Sequence, residues 1–190
     1  MGKIIDTSLL DDAIKFAVDA HKGAERRGKG FPYIVHPMEA VAIVATITAD
    51  QELLAAAALH DVVEDTDYTE ADIRERFGDR VASLVATESD IVVEGKSDEE
   101  SWHERKQAAI DRLAKASHDG KVVAMGDKLS NMRAIARDFA AEGSGFWNRF
   151  HTTDPKEHEW HYRGLAQSLS ELSDTDAYKE FIELIDKTFL

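Results

Sequence analysis

The stretch from Leu53 to Asp65 constrains this chain more than any other. Leu53, Leu54, Ala57, Ala58 and Val62 mark a largely buried helix, and His60, Asp61, Glu64 and Asp65 load its end with polar groups. Buried imidazoles and carboxylates destabilise a core unless partners meet them, so distant parts of the chain must fold onto this point. Elsewhere apolar positions recur at helical spacing between short polar stops, which predicts an all-α fold. With 190 residues and 43% hydrophobic content, one domain with a sizeable core is expected.

The punctuation divides the helices. The first is expected from about Ser8 to His21, with Asp6, Thr7 or Ser8 capping it, and Gly23 to Gly30 breaks it. Pro37 fits the first turn of a helix reaching about Ile47 and sets His36 at its mouth. Asp50 can cap a helix running from Gln51 to about Glu64. Thr69 and Asp72 form a capping box for Glu70 to Phe77, Gly78 ends that helix, and a short one covers Val81 to Thr87. An acidic loop from Glu88 to Glu100 follows, with a brief β excursion at Ile91 to Val93. Ser101 and Glu104 resemble a second capping box for Trp102 to Ala116, and His118 to Gly120 read as a turn. Helices then run from Lys121 to about Phe139, from Pro155 to about Leu172, and from Asp174 or Thr175 to near Leu190.

Composition narrows the chemistry. Asp and Glu number 37 against 23 Lys and Arg, and a net charge of −14 repels a polyphosphate chain, so no nucleic-acid partner is expected. Cysteine is absent, which excludes disulfides, thiolate metal sites and cysteine nucleophiles. No apolar run reaches membrane-spanning length and no signal-like hydrophobic core opens the chain, so a cytoplasmic protein without a membrane partner is expected. A homo-oligomer is left open.

Imidazole and carboxylate are therefore the available metal ligands. On one helix His60 and Asp61 stand about 100° apart and reach a single ion over its shoulder. His36 and Asp127 are the obvious further suppliers. Two imidazoles and two carboxylates suit Mn²⁺, with Fe²⁺ or Zn²⁺ as alternatives, better than Ca²⁺. Glu64 follows His60 at i+4 and Asp65 follows Asp61 at i+4, so these acids flank the ion as a proton-transfer or water-orienting pair. The set describes metal-assisted hydrolysis of a phosphoester. A lone His-Asp pair is more often a satisfied buried pair; the additional ligands on two other helices argue for a site.

Between Lys22 and Lys29, the cations Lys22, Arg26, Arg27 and Lys29 face one acid, Glu25, in a glycine-rich loop. We read this as a phosphate clamp close to His36. Asn131 follows Asp127 at i+4 on one helix face. Arg105, Lys106 and Arg112 share another helix, as substrate contacts or a solvated face. Trp147, Phe150, Trp160 and Tyr162 read as packing rather than a base-stacking platform. His21, closing the first helix beside the clamp, stands between a supporting role and simple helix-end charge.

The segments AHKGAERRGKGFPYIVHP, ALHDVVEDT, RFGDRV and MGDKLSNMRAI together resemble the HD-domain hydrolases of the RelA/SpoT type, over roughly Leu9 to Ile135. The resemblance implies one HD-type, metal-dependent phosphohydrolase domain over residues 1–190. It also implies removal of the 3′-pyrophosphate from guanosine tetra- or pentaphosphate, giving GDP or GTP and pyrophosphate. By the same resemblance His36, His60, Asp61 and Asp127 hold Mn²⁺, Glu64 and Asp65 are the catalytic pair, Asn131 contacts the nucleotide, and Arg26 and Arg27 match the basic loop near its phosphates. The chain departs from the family pattern at Lys128-Leu129-Ser130, where Arg-x-His is usual, and at Thr87-Glu88-Ser89. Another phosphorylated nucleotide, such as the phosphomonoester of NADPH, is the alternative substrate. A catalytically inactive nucleotide sensor is the alternative role.

Overall fold

The computed structural model describes residues 5–26, 28–87, 95, 97 and 100–189. Among these the helices are α1 (Ser8–Ala20), α2 (Val35–Val44), α3 (Gln51–Leu59), α4 (Val62–Asp65), α5 (Glu70–Phe77) and α6 (Asp79–Ala86), then α7 (Trp102–Lys115), α8 (His118–Glu142), α9 (Pro155–Ser168) and α10 (Asp176–Thr188). Short 3-10 segments cover Gly143–Arg149 and Ser170–Leu172. A bridge between Glu25 and Pro32 closes the basic loop, and no strand forms among the described residues. The all-α expectation holds.

The molecule is built around α3. Every residue from Leu53 to Leu59 is buried, and α1, α2, α6 and α8 pack against the helix. Its middle, Ala55 to Ala58, presents only methyl groups, so neighbouring helices approach closely. Asp50 accepts the backbone N–H of Glu52 at 2.9 Å and caps it as expected. Arg80 of α6 clips this end to α8 by bonding Asp50, Glu52 and Asp119 at 2.9, 2.6 and 2.8 Å.

α8 is the long spine, lying against α2, α3 and α10. Gly126 makes its contact with α2 possible: a Cβ there would lie 2.8 Å from both the carbonyl oxygen of Ala40 and a Val44 methyl. The helices meet without a side chain between them one residue before Asp127. A second apolar cluster forms where Phe146, Trp147 and Phe150 meet His158 and Phe189. This confirms the packing role read for Trp147, Phe150 and the buried Tyr162, whereas Trp160 is half-buried and stacks on His103 at 4.0 Å.

Several boundaries differ from expectation. The helix from Gln51 to Glu64 is not continuous: α3 stops at Leu59 and α4 begins at Val62. Asp61 has φ −94° and ψ −3°, near the sparsely populated bridge region, because its carboxylate turns toward partners from other helices. His118 to Gly120 are the first turn of α8, since Ser117 accepts the Gly120 N–H at 3.1 Å and starts the helix early. Ser101 forms no capping box; its hydroxyl donates instead to the Ser97 carbonyl at 2.8 Å. α9 ends at Ser168, ahead of the 3-10 turn, and Thr175 rather than Asp174 caps α10. The Thr69 and Asp72 capping box forms as read. The suggested β excursion at Ile91 to Val93 lies outside the described residues.

Candidate metal centre

His36 enters from the first turn of α2, His60 and Asp61 from the break between α3 and α4, and Asp127 from the middle of α8. His36, His60 and Asp127 are buried, and their ligand atoms lie within 4.8 Å of one another. The Nε2 atoms of His36 and His60 face each other at 3.2 Å. Asp127 Oδ1 stands 3.0 Å from His36 Nε2 and 3.6 Å from His60 Nε2. Asp61 Oδ2 closes the group at 3.0 Å from His60 and 3.4 Å from His36. Three of the four residues singled out from sequence, His36, His60 and Asp127, thus form one mutually close set, and Asp61 stands beside its two rings.

The outward nitrogens fix the proton positions. His60 Nδ1 lies 2.8 Å from the Ala57 carbonyl, which can only accept, so the ring carries its proton there. Ser130 donates its hydroxyl proton to Glu39 at 2.7 Å and thus accepts from His36 Nδ1 at 2.9 Å. With both rings neutral, both Nε2 atoms are left with lone pairs directed into the cluster. Two lone pairs and two carboxylate oxygens converging in a buried space repel one another unless a positive charge sits among them. Atoms bound to a small divalent cation at about 2.1 Å lie about 3.0 to 3.4 Å apart, depending on geometry. The observed spacings fit such an ion.

Electrostatics point the same way. Burial by itself disfavours an imidazolium at His60, but Asp61 and Asp127 reverse this and raise its proton affinity well above the ordinary histidine value. Burial also opposes ionisation of Asp61 and Asp127; His60 and His36 beside Asp61, and Lys128 with the same rings beside Asp127, hold both carboxyls well below the usual range. The cluster demands positive charge, and a divalent cation satisfies that demand with both rings neutral.

Around this core stand groups that sequence reading missed. Tyr33 donates its hydroxyl to Asp61 Oδ2 at 2.6 Å, and burial followed by the nearby Asp61 charge pushes its ionisation up, so it stays a donor. Tyr33 lies three residues before His36, a helical spacing across the loop-to-helix junction that was the available signal. Ser130, at i+3 from Asp127, and Glu39, at i+3 from His36, were similarly discoverable as same-face neighbours.

The remaining expected residues are placed as follows. Glu64 and Asp65 are exposed on α4. Asn131 donates to Asp127 Oδ1 at 2.5 Å and accepts a short contact from Arg26, whose guanidinium lies 5.2 Å from the Tyr33 ring centre. Arg26 of the basic loop therefore reaches the metal cluster through Asn131. Lys29 does not join it: its ammonium is paired with Asp138 farther along α8, and Lys22 is exposed. Arg27 lies outside the described residues. Lys106 lines a cavity with Arg112, Lys128 and His161, and Lys128 contacts Asp127 Oδ2 at 2.5 Å, so the cavity adjoins the cluster. His21 is buried against Tyr33, with ring centres 4.9 Å apart, on the α1 side of the cluster.

A family model described as the HD domain matches residues 13–153, a stretch carrying all four cluster residues. The chain belongs to the HD-domain family. Within it, the chain is similar to RelA/SpoT-type proteins. A zebrafish (Danio rerio) guanosine-3′,5′-bis(diphosphate) 3′-pyrophosphohydrolase, MESH1, is 34% identical across 69% of this chain and 71% of that protein. The guanosine-3′,5′-bis(diphosphate) 3′-pyrophosphohydrolase of Haemophilus influenzae is 38% identical over 63% of this chain. The bifunctional (p)ppGpp synthase/hydrolase SpoT of Escherichia coli is 35% identical over 71% of it. The chain spans 17% and 20% of the lengths of these two bacterial relatives. Among solved structures, a metazoan orthologue of SpoT described as hydrolysing ppGpp superposes with a TM-score of 0.76 at 22% identity, over 97% of this chain and 98% of that one. That likeness shows the HD fold. A Listeria monocytogenes protein superposes with a TM-score of 0.70 at 28% identity, covering 81% of this chain and 98% of its own.

Proposed function

We propose that this HD-domain chain is a Mn²⁺-dependent (p)ppGpp 3′-pyrophosphohydrolase, releasing pyrophosphate and leaving GDP or GTP. One observation carries the reading: two imidazoles with fixed tautomers and two carboxylates converge beside an acidic pair, in a family branch whose named members act on this nucleotide. His36, His60, Asp61 and Asp127 would hold the cation, with Mn²⁺ the best match to the two-nitrogen, two-oxygen donor set and Fe²⁺ or Zn²⁺ as alternatives. When bound, the cation acidifies water and offsets charge growing on phosphoryl oxygens.

The chain's own groups complete the reaction. Glu64 would take the proton of the attacking water and pass it to the departing ribose 3′-oxygen, while Asp65 would orient that water. Arg26 and Asn131 position the nucleotide next to Asp127, with Arg27 as a further contact from the same loop. Lys106 contributes positive potential to the adjoining cavity, drawing a polyanionic substrate to an otherwise acidic protein. The packing of α8 against α2, α3 and α10 supports reading residues 1–190 as one HD-type unit. No helix among the described residues is long and apolar enough to cross a membrane, and a cytoplasmic location completes the proposal.

The direct test is to incubate the purified, Mn²⁺-loaded protein with ppGpp and a panel of phosphorylated nucleotides including NADPH, scoring pyrophosphate and phosphate separately. Pyrophosphate from ppGpp is the expected result. Phosphate as the product, or turnover confined to a phosphomonoester, overturns the assigned substrate. Nucleotide binding without any turnover moves the protein to the sensor reading, in which Glu64 and Asp65 have no chemical task.

A further inference from the structure

Resting on the metal centre just described, we propose that Ser130 and Glu39 are positioning residues for the His36 ligand, and that Arg133 and Glu180 extend this relay to the C-terminal helix. His36 Nδ1 donates to Ser130 Oγ at 2.9 Å, and Ser130 donates to Glu39 Oε2 at 2.7 Å. Arg133 bonds Glu39 Oε1 at 3.2 Å and grips both oxygens of Glu180 at 2.7 Å each. The path runs from a buried ring through a serine that is 2% exposed to charged groups at the surface.

The chemistry of each link gives the relay its direction. The Glu39 carboxylate can only accept, so it takes the Ser130 proton and leaves the hydroxyl lone pair for His36. Negative charge passed through the hydroxyl makes His36 Nε2 a stronger donor and fixes the ring's rotation. Arg133 holds the Glu39 carboxylate in this orientation. Because Glu180 belongs to α10, outside the matched residues 13–153, a helix beyond the family model supports the geometry of the centre.

Metal-stripped protein titrated with Mn²⁺ in a calorimeter tests this without reference to any nucleotide. Ser130→Ala is expected to weaken Mn²⁺ binding about 10–100-fold, the range for losing a partner of a ligating histidine. Ser130→Thr, which keeps the hydroxyl, should restore most of it, and Ser130→Val should not. Glu39→Gln should fall between, and Glu180→Gln should lose about 2–5-fold, because the outer pair is partly screened by solvent. Nitrogen chemical shifts of His36 in Zn²⁺-loaded protein should report a proton on Nδ1. Wild-type affinity in folded Ser130→Ala and Glu39→Gln overturns the relay; if Ser130→Ala gives no cooperative melt, Glu39→Gln alone decides. Wild-type protein that takes up no Mn²⁺ overturns the metal centre and the relay together. Normal Mn²⁺ binding without ppGpp hydrolysis overturns only the substrate assignment.

Discussion

At the scale of single residues, the centre is a problem of charge and proton placement. Asp61 is held by Tyr33 at 2.6 Å, so Tyr33→Phe removes a donor while keeping the ring that packs on His21. Its expected effect is about a 10-fold loss of Mn²⁺ affinity, read by calorimetry, with little change in thermal stability. Glu64 is exposed and forms no part of the buried ligand cluster. Glu64→Gln is therefore expected to reduce turnover by at least about 100-fold, the scale of general-base catalysis, while nucleotide and metal binding persist. Retained turnover removes Glu64 from its role. The residues of the candidate cluster were legible in the sequence because their types and spacings are chemically unusual. Tyr33, Ser130 and Glu39 share helical spacing with His36 and Asp127, but that spacing becomes informative for a tyrosine, a serine or a glutamate only when the partner is known.

At the scale of helices, position depends on close contact and on which face is dry. Gly126 lets α8 press against α2, and a methyl there meets a carbonyl oxygen and a valine methyl at 2.8 Å. Gly126→Ala is expected to cost about 1–3 kcal/mol in urea unfolding and to weaken metal binding as well, since His36 and Asp127 sit on the helices it separates. On α9, His158 is buried among Trp147 and Phe150, with its Nε2 donating to the Thr152 carbonyl at 2.7 Å. Burial lowers its pKa, so below the ordinary value of about 6.5 the unfolded chain gains a proton that the folded ring resists. Its contribution to stability is complete above that value and shrinks as pH falls through it toward the lower folded value. His158→Phe should therefore flatten the loss of stability below about pH 6.5, measured as the difference between wild-type and variant unfolding curves. Helix boundaries were legible where capping chemistry was strong, as at Asp50 and Thr69. They were misread where a tertiary demand intervened, as at Asp61, whose backbone leaves the helix to direct its carboxylate at His36 and His60.

At the scale of the whole molecule, the centre is a junction joining α2, the α3–α4 break and α8. A cation bound there stabilises the folded chain by mass action, because the unfolded chain cannot assemble ligands from three separate segments. Chelation should lower the melting temperature, and adding Mn²⁺ at 100 times its dissociation constant should contribute about 2.7 kcal/mol. A melting temperature indifferent to both would show that the four side chains do not act as one site.

The sequence by itself determined the helical fold, the absence of thiol chemistry and the four candidate metal-binding residues, because periodicity, composition and ligand type are local properties of the chain. Only the tertiary structure decided that the helix breaks at Asp61, that Lys29 turns away to Asp138 while Arg26 turns inward to Asn131, and that His36 is tied through Ser130 and Glu39 to α10. Those outcomes depend on contacts between residues far apart in the chain, and the energies of competing partners can be compared only once the helices have been packed.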